Sequence, residues 1–286
     1  FANINNFKKL KKEIGIIKPQ ILFHLAAQPL VSESFLDPLG TLNTNIIGTS
    51  NILSSIKKNK SLRSIVIITT DKVYKIKKGN KFYNEENELG GNDPYSTSKV
   101  CAEFVTQSYI ESFFKKSKFK NIISTARSGN VIGGGDYSKN RLLPDIIKSI
   151  NAKVKLSIRN PNHIRPWQYV IEPIFGYLKL AQAQYEKKVT NKNASWNFGP
   201  NYSSFVKVKD IIKKINKHKK IEVRINKKQN FYETNVLKLN SKKAKKFLSW
   251  SPKWKLDKSL HKIIEWNDLF KKKINAKIIC ENQITN

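Results

Sequence analysis

The chain has 286 residues and a hydrophobic fraction of 39%, enough to bury a substantial core in one large or two modest domains. Its formal net charge is +33, but lysines spread along the whole chain indicate solvated faces rather than a base-reading patch, so no nucleic-acid partner is expected. No apolar run approaches the roughly 20 residues that cross a bilayer, and no signal-peptide pattern is present, so a cytoplasmic location without a membrane partner is expected.

The cysteine content and the start of the chain give two further expectations, one about metal or disulfide sites and one about the N-terminus. Cys101 and Cys280 have neither metal-ligand spacing nor the pattern of a disulfide framework, so no metal site is predicted. The chain contains no methionine and begins at Phe1. We therefore expect a fragment that lacks its natural N-terminus.

Strands and helices alternate in the first part of the chain. The predicted elements are a helix over 7–17, a strand over 20–25, a helix over 42–58, a strand over 64–68, a helix over 94–114 and a strand over 121–126. This rhythm is typical of a parallel sheet with right-handed crossovers. We predict an α/β fold, a Rossmann-like doubly wound parallel sheet whose first βαβ unit is missing.

The rhythm changes after Arg127. A glycine-rich loop over 128–136 has the wrong spacing for a phosphate-binding fingerprint, so we interpret it as a wide turn into a second domain. Beyond it we predict helices over 142–150, 171–186, 208–215 and 260–270 and a strand over 154–158. The predicted organisation is a partial sheet domain over 1–128, a smaller α+β portion over 129–270 and a flexible tail over 271–286.

A candidate active site lies between the strand over 64–68 and the helix that begins at Pro94. Tyr95 and Lys99 are four residues apart, so they share one face of that helix. A neighbouring ammonium group favours the phenolate form, which makes Tyr95 a candidate general base. Thr70, at the end of the preceding strand, could bind the same substrate hydroxyl. The Tyr-x-x-x-Lys spacing alone has low specificity.

The motifs together resemble the extended short-chain dehydrogenase/reductase family, and within it the CDP-glucose 4,6-dehydratase branch. The segments that carry the resemblance are 24–31, 69–72, 90–96, 129–136, 159–161, 165–168 and 196–200, in the expected order. An acid after the active-site threonine, here Asp71, is typical of dehydratases. The following Lys72 favours CDP over dTDP, because the dTDP branch has glutamate at that position.

The resemblance implies an internal redox elimination that uses NAD, with CDP-glucose as substrate and a 4-dehydro-6-deoxy sugar nucleotide as product, as in O-antigen precursor synthesis. Tyr95, held as phenolate by Lys99, would take the proton of the sugar 4-hydroxyl with help from Thr70. Asp71 would protonate the departing 6-hydroxyl, and Lys72 would assist proton transfer at C5. A homodimer paired through the helix that carries Tyr95 is also implied.

The resemblance also implies binding residues. The predicted cofactor-binding residues are Asn3, Ile4, Ala26, Ala27, Gln28, Asn45, Thr69, Tyr95 and Lys99. The predicted substrate-binding residues are Asn130, Arg141, Arg165 and Gln168. Other interpretations remain open: tight strand–helix packing for the two alanines, and a surface polar role for Asn45. His24 is expected to pack at its strand end and not to bind a metal.

Some features depart from the family, and other functions compete. Asn3 replaces the usual aspartate at the adenine-binding turn, and Ser32-Glu33 replaces a basic residue. No Gly-x-Gly-x-x-Gly fingerprint occurs, so we expect the 286 residues alone to bind NAD poorly and to be inactive. The alternatives are an epimerase or dehydratase acting on another sugar nucleotide, and a basic nucleic-acid-binding module with a degenerate enzyme fold.

Overall fold

The computed structural model describes residues 2–77, 79, 82–114, 122–189, 194–226 and 237–285. The strands are β1 (Ile21–His24), β2 (Ser64–Ile68), β3 (Phe82–Tyr83), β4 (Ile123–Arg127), β5 (Val131–Ile132), β6 (Leu156–Ile158), β7 (Ile164–Pro166), β8 (Gln168–Tyr169), β9 (Ser195–Asn197), β10 (Phe205–Lys207), β11 (Val223–Ile225) and β12 (Lys238–Leu239). The α-helices are α1 (Phe7–Ile17), α2 (Val31–Leu36), α3 (Pro38–Leu42), α4 (Gly48–Ile56), α5 (Pro94–Tyr109), α6 (Leu142–Ala152), α7 (Ile171–Tyr185), α8 (Val208–Asn216), α9 (Lys242–Leu248), α10 (Leu256–Lys271) and α11 (Ala276–Thr285).

The chain divides into two compact units. The sheet unit comprises Phe1–Ser128, Phe175–Phe198 and Leu239–Ser251. The second unit comprises Gly129–Ile174, Gly199–Lys238 and Pro252–Asn286. The second portion predicted from the sequence spans 129–270, whereas two segments of that range belong to the sheet unit. The reason is β9, which the sequence analysis did not predict and which pairs with β4 as the fourth strand of the sheet.

The sheet unit is built on a parallel sheet with strand order β1-β2-β4-β9. The predicted Rossmann-like α/β fold is therefore confirmed, with α4 and α5 in the crossovers. Side chains of β2 alternate between two cores, as the pleat requires. Ile65 and Ile67 pack in the core that contains Leu53 and Phe114, and Val66 packs in the core that contains Trp250.

Two predicted helices are divided by π-helical turns. The region predicted as one helix over 42–58 is α3, a π-helical turn at Asn43–Ile47, and α4. The region predicted as a helix over 94–114 is α5 followed by a π-helical turn at Ile110–Phe114. π-Helical turns frequently lie at functional sites, because the extra residue re-aims the side chains of that turn.

The second unit has no large sheet among its described residues. It contains the strand pairs β5–β8 and β6–β11, both parallel, and the antiparallel pair β7–β10. Its core collects side chains from α6, α8 and α10, such as Ile146, Ile211 and Leu260. No helix in the described ranges is long and apolar enough to cross a membrane.

The expected flexible tail over 271–286 is wrong, because this segment contains α11. Ile279 is fully buried, and the Gln283 side chain donates to the Lys262 carbonyl in α10 at 2.9 Å. The glycine run of the second unit also has a packing role. A Cβ on Gly134 would lie 2.1 Å from Cγ of Trp266, so only glycine lets the α10 indole lie against this backbone.

Candidate active site

The end of β2 presents a compact group of polar side chains. The Thr70 hydroxyl donates to Asp71 Oδ1 at 3.1 Å and accepts from the Lys72 amide at 3.3 Å. The Asp71 amide donates to the Ser128 carbonyl at 3.1 Å. Thr70 and Asp71 are buried and Lys72 is half-buried. The short helical turn at Asp71–Val73 therefore fixes the threonine and the carboxylate side by side at the carboxyl end of the sheet, where open α/β sheets bind ligands.

Helix α5 brings Tyr95 and Lys99 to the same edge. Its start is fixed by a reciprocal capping box between Asp93 and Ser96, with Pro94 in the first turn. The Lys99 ammonium donates to the Ile68 carbonyl at the end of β2, at 3.0 Å. Burial lowers the pKa of Lys99 to about 8, and the charge of Glu103 opposes that shift. Tyr95 is buried as well, in the first turn of the helix.

Asn45 is buried and not a surface residue, so the surface interpretation of this asparagine is wrong. It lies in the π-helical turn before α4, and its side chain contacts both peptide groups of Gln28. Asn45 Oδ1 accepts from the Gln28 amide at 2.9 Å, and Nδ2 donates to the Gln28 carbonyl at 3.0 Å and to Ser98 Oγ at 2.8 Å. Since Ser98 donates to the Tyr95 carbonyl, Asn45 links the loop after β1 to the first turn of α5.

The loop after β1 is shaped by its own hydrogen bonds. Gln28 Oε1 accepts from the Leu30 amide at 2.5 Å, and Nε2 donates to Thr41 at 2.7 Å. Ala26 is exposed and Ala27 is half-buried. These methyl side chains leave the carboxyl end of β1 open for the close approach of a ligand.

The predicted adenine-binding turn is also ordered by local contacts. Asn3 is exposed, and its Oδ1 accepts from the Asn5 amide at 2.9 Å. The Ile4 carbonyl accepts from Asn51 Nδ2 at 2.9 Å. A Cβ on Gly48 would lie 2.6 Å from Cδ1 of Ile4, so the isoleucine lies against the start of α4.

The four predicted substrate-binding residues all lie in the second unit. Asn130 has a positive φ of 43°, which asparagine tolerates better than most residues, and its carbonyl accepts from the Gln168 amide at 3.4 Å. Arg141 pairs with Asp136 at 3.4 Å. Arg165 donates to the Ile164 carbonyl at 3.0 Å. The catalytic and cofactor-binding candidates, by contrast, all lie in the sheet unit.

Comparison with known proteins identifies the family. The GDP-mannose 4,6-dehydratase family matches residues 1–263. The chain belongs to this family. It is 38% identical over 271 residues to the CDP-glucose 4,6-dehydratase of Salmonella typhimurium, covering 93% of this chain and 75% of that protein. The human dTDP-D-glucose 4,6-dehydratase is 27% identical over 256 residues, which cover 87% of this chain and 69% of the human protein.

Solved structures confirm the fold of this family member. UDP-glucuronic acid 4-epimerase from Bacillus cereus, in complex with UDP-glucuronic acid and NAD, aligns with a TM-score of 0.79 at 23% identity, over 94% of this chain and 81% of that one. The dTDP-glucose 4,6-dehydratase from Bacillus anthracis, in complex with NAD, aligns with a TM-score of 0.74 at 22% identity, over 93% and 78% of the two chains.

His24 lies beside the site as a neutral residue. Burial lowers its pKa to about 4, and the charge of Lys99 adds to the shift. Thr49 Oγ1 donates to the Asn45 carbonyl at 2.7 Å and contacts His24 Nε2 at 3.1 Å. Because the threonine proton is used in the bond to Asn45, His24 Nε2 must donate, which fixes the Nε2–H tautomer.

Two further groups of the sheet unit were missed by sequence reasoning. The Glu103 carboxylate, one helical turn after Lys99, accepts from Thr69 and from Arg127. The Ser128 hydroxyl and the Tyr177 hydroxyl are 2.5 Å apart. Burial raises the pKa of Tyr177 to about 12, and its electrostatic interaction with Tyr95 adds to the shift. Glu103 lies four residues after Lys99, a helical spacing that is visible in the sequence. Nothing in the sequence indicated that Ser128 would contact Tyr177.

Proposed function

We propose that this protein is a CDP-glucose 4,6-dehydratase, a hydro-lyase that converts CDP-glucose to CDP-4-dehydro-6-deoxy-glucose and water. The observation that carries the proposal is the group at the end of β2. There Asp71, bonded to Thr70, lies at the strand end to which Lys99 of α5 is anchored. A buried acid and a threonine at one strand end, with the Tyr95–Lys99 pair next to that strand, supply the acid and the base that an elimination needs.

The residues at the carboxyl end of the sheet fit NAD as the resident cofactor. Small side chains follow β1, and the Asn45–Gln28 contacts hold that loop in one conformation. The residues proposed to hold NAD are Asn3, Ile4, Ala26, Ala27, Gln28, Thr69, Tyr95 and Lys99, with Asn45 acting through Gln28. Bound NAD would supply the redox chemistry, taking two electrons from the sugar and returning them within one turnover.

Each proposed catalytic side chain handles one proton. Tyr95, as phenolate, takes the proton of the sugar 4-hydroxyl, and the ammonium of Lys99 favours that phenolate. Asp71 gives a proton to the departing 6-hydroxyl, which leaves as water. Lys72 assists the transfer of the C5 proton, which the 4-ketone has made acidic. Thr70 orients Asp71 through its hydroxyl and can bind the sugar 4-hydroxyl.

The choice of CDP over other nucleotides is supported by two features. Lys72 follows Asp71, as in the branch of the family that uses CDP-glucose. The relative with 38% identity carries that activity in its name. Asn130, Arg141, Arg165 and Gln168 are the proposed residues for the nucleotide diphosphate, since the arginine fork matches paired phosphate oxygens. A dTDP- or GDP-sugar as the preferred substrate would refute the CDP part alone.

The test separates binding from turnover. Calorimetry on the chain compares CDP-glucose with dTDP-glucose and GDP-mannose, and the CDP sugar is expected to bind at least 10-fold more tightly. The protein is then incubated with CDP-glucose and NAD, and the 4-keto product is measured by its absorbance in alkali. Absence of that product from a NAD-loaded enzyme would refute the dehydratase.

Two further parts of the proposal concern the protein in its cell. We place it in the cytoplasm, in the supply of deoxysugars for surface polysaccharides. We also propose a homodimer that pairs through α5. Phe104 of that helix is 56% exposed, and Ile47, in the neighbouring π-helical turn, is half exposed, so this side of the sheet unit presents apolar side chains.

A further inference from the structure

A buried carboxylate on α5, that of Glu103, is hydrogen-bonded to Thr69 at the end of β2. Glu103 lies one turn after Lys99 on α5, and both of its oxygens are used. Oε1 accepts from Thr69 Oγ1 at 2.6 Å and from Arg127 Nε at 2.8 Å. Oε2 accepts from Thr125 Oγ1 at 2.7 Å and from Arg127 Nη2 at 2.9 Å. Every one of these residues belongs to the sheet unit.

Arg127 extends the network to the edge strand β9 and to Tyr74. Its Nη1 donates to the Tyr74 hydroxyl at 2.9 Å and its Nη2 donates to Ser195 Oγ at 2.9 Å. The ion pair is thus fixed by β4 and β9 and cannot shift toward the ligand side without breaking buried hydrogen bonds. Breaking one partner of such a pair is costly, because the remaining charge is left buried and unpaired.

We propose that Glu103 is a positioning residue for the dehydratase site, holding Thr69 at the end of β2 and keeping Lys99 in its ammonium form. This inference rests on the proposed function. Thr70 has extended backbone, and the Thr69 amide still donates to the Ala126 carbonyl beside β4, so the two consecutive side chains point to opposite faces. Fixing the Thr69 hydroxyl on Glu103 therefore directs Thr70 and the Asp71 that follows it away from the network.

The charge of Glu103 has a second effect through Lys99. The lysine is buried, and burial disfavours its ammonium form. His24 from β1 and Glu103 from the next turn of α5 interact electrostatically with it, and Tyr95 lies four residues before it in the first turn of α5. His24 is neutral, so Glu103 supplies the negative charge that favours the ammonium. Without it, Lys99 would lose its proton at a lower pH and could no longer stabilise the Tyr95 phenolate.

Three substitutions separate the two roles. E103Q keeps the shape of the side chain and one acceptor oxygen, but it removes the charge and replaces the other acceptor oxygen with an amide donor. T69V removes the bond to the strand end but keeps the charge. T125V is the matched control, since it removes a buried hydrogen bond of nearly the same length from the other carboxylate oxygen, and the Thr125 hydroxyl otherwise contacts Ser195 of β9 at 3.1 Å. T125V is therefore expected to leave the pH profile and the basal rate within about twofold of the wild type.

The first readout is the pH profile of kcat for CDP-glucose. The alkaline limb, where Lys99 loses its proton, is expected to move down by about one pH unit in E103Q and to stay in place in T69V. T69V is expected to lower kcat about 10-fold with little change in KM. An E103Q profile that coincides with those of the wild type and the T125V control would overturn the electrostatic role, and an unchanged kcat in T69V would overturn the positioning role.

The second readout needs no turnover, so it distinguishes failure of this inference from failure of the proposed function. The urea midpoints of the wild type and K99M are compared from pH 6 to pH 11, and the difference isolates the proton linkage of Lys99. Above about pH 8 the folded protein releases the Lys99 proton more readily than the unfolded chain does, so the urea midpoint of the wild type is expected to rise relative to that of K99M. In the E103Q background this relative rise is expected to begin at a lower pH. An identical onset in both backgrounds would refute the effect of Glu103 on Lys99, whatever the enzyme's substrate. If E103Q does not fold, E103Q/R127M removes both buried charges, and the same comparison is made there.

Discussion

Asn45 and Gln28 are joined through both peptide groups of the glutamine, with the Asn45 amide accepting from the Gln28 N–H and donating to the Gln28 carbonyl. A side-chain amide is the group that can complete this pair, because it offers one acceptor and two donors in a plane. N45D keeps the shape but replaces the donors with a second acceptor. In N45D a buried carboxylate oxygen would lie against the Gln28 carbonyl and the Ser98 hydroxyl, where Asn45 Nδ2 now donates.

N45D is therefore expected to lower the free energy of unfolding by about 3 kcal/mol, from two lost hydrogen bonds and a buried charge. Turnover is expected to fall at least 10-fold, since the loop after β1 and the first turn of α5 lose their connection. Urea unfolding and kcat are the measurements. N43D, at an exposed position of the same π-helical turn, is the control and should change neither. Equal effects from the two substitutions would contradict a specific role for Asn45.

Removal of the Tyr95 hydroxyl tests the proposed base. Y95F is expected to reduce formation of the 4-keto product by about 100-fold or more, because the proton of the sugar 4-hydroxyl loses its acceptor. Binding of CDP-glucose should remain within a few-fold of the wild type by calorimetry. Y109F, on the same helix, removes a hydroxyl that contacts Ser54 at 2.6 Å and should retain turnover. Substantial turnover by Y95F would assign the base elsewhere.

The neutral state of His24 gives the fold an acid sensitivity. Its pKa is about 4 in the folded protein against an ordinary value of 6.5, so the unfolded chain takes up a proton first as the pH falls. The stability is fully present above about pH 6.5 and is lost progressively toward pH 4, by at most about 3 kcal/mol.

H24Q keeps a donor for Thr49 but does not titrate. Urea unfolding between pH 7 and pH 4 should therefore show a flatter acid dependence in H24Q than in the wild type. Parallel curves for the two proteins would show that His24 is not the group responsible.

Packing of α11 is tested by two neighbouring isoleucines. Ile279 is fully buried and Ile278 is 51% exposed. I279A is expected to cost about 2–4 kcal/mol through lost burial and a cavity, whereas I278A should stay within about 0.5 kcal/mol of the wild type. Thermal unfolding of both variants measures the difference. Similar small effects would mean that α11 adds little to the stability of the second unit.

The proposed dimer is tested by charge on α5. F104E places a carboxylate at the centre of the proposed contact and is expected to convert a dimer to a monomer in light scattering after gel filtration. F247E, on the exposed side of α9, is the matched control and should leave the mass unchanged. A wild-type protein that is monomeric at all concentrations would refute the dimer directly.

Local patterns in the sequence predicted much of the fold. The helix at Phe7–Ile17 and the strand at Ser64–Ile68 have the predicted bounds, because each carries a clear apolar period and a clear end. β9 was missed because three residues are too few to show a period. α11 was missed because its moderate apolar content resembles a lysine-rich tail, and the partner that buries it lies in α10.

The candidate site also has features that the sequence could predict and features that it could not. The spacing of Tyr95 and Lys99 is a local property of one helix and could be predicted. The burial of Asn45 depends on Gln28 and Ser98, which come from two other segments of the chain. The Glu103–Arg127 pair likewise depends on the register of β4 against α5. Contacts of this kind are set by tertiary packing, so no single stretch of sequence predicts them.

The position of β9 in the sheet bears on the order of events during synthesis. β4 is synthesised before Ser195–Asn197, so the edge of β4 that β9 later covers is open until then, and Trp250, which packs in the same core as Val66 of β2, emerges later still. A nascent chain that has reached Ser128 therefore exposes both an open strand edge and an uncovered apolar face, two features that recruit chaperones or lead to aggregation.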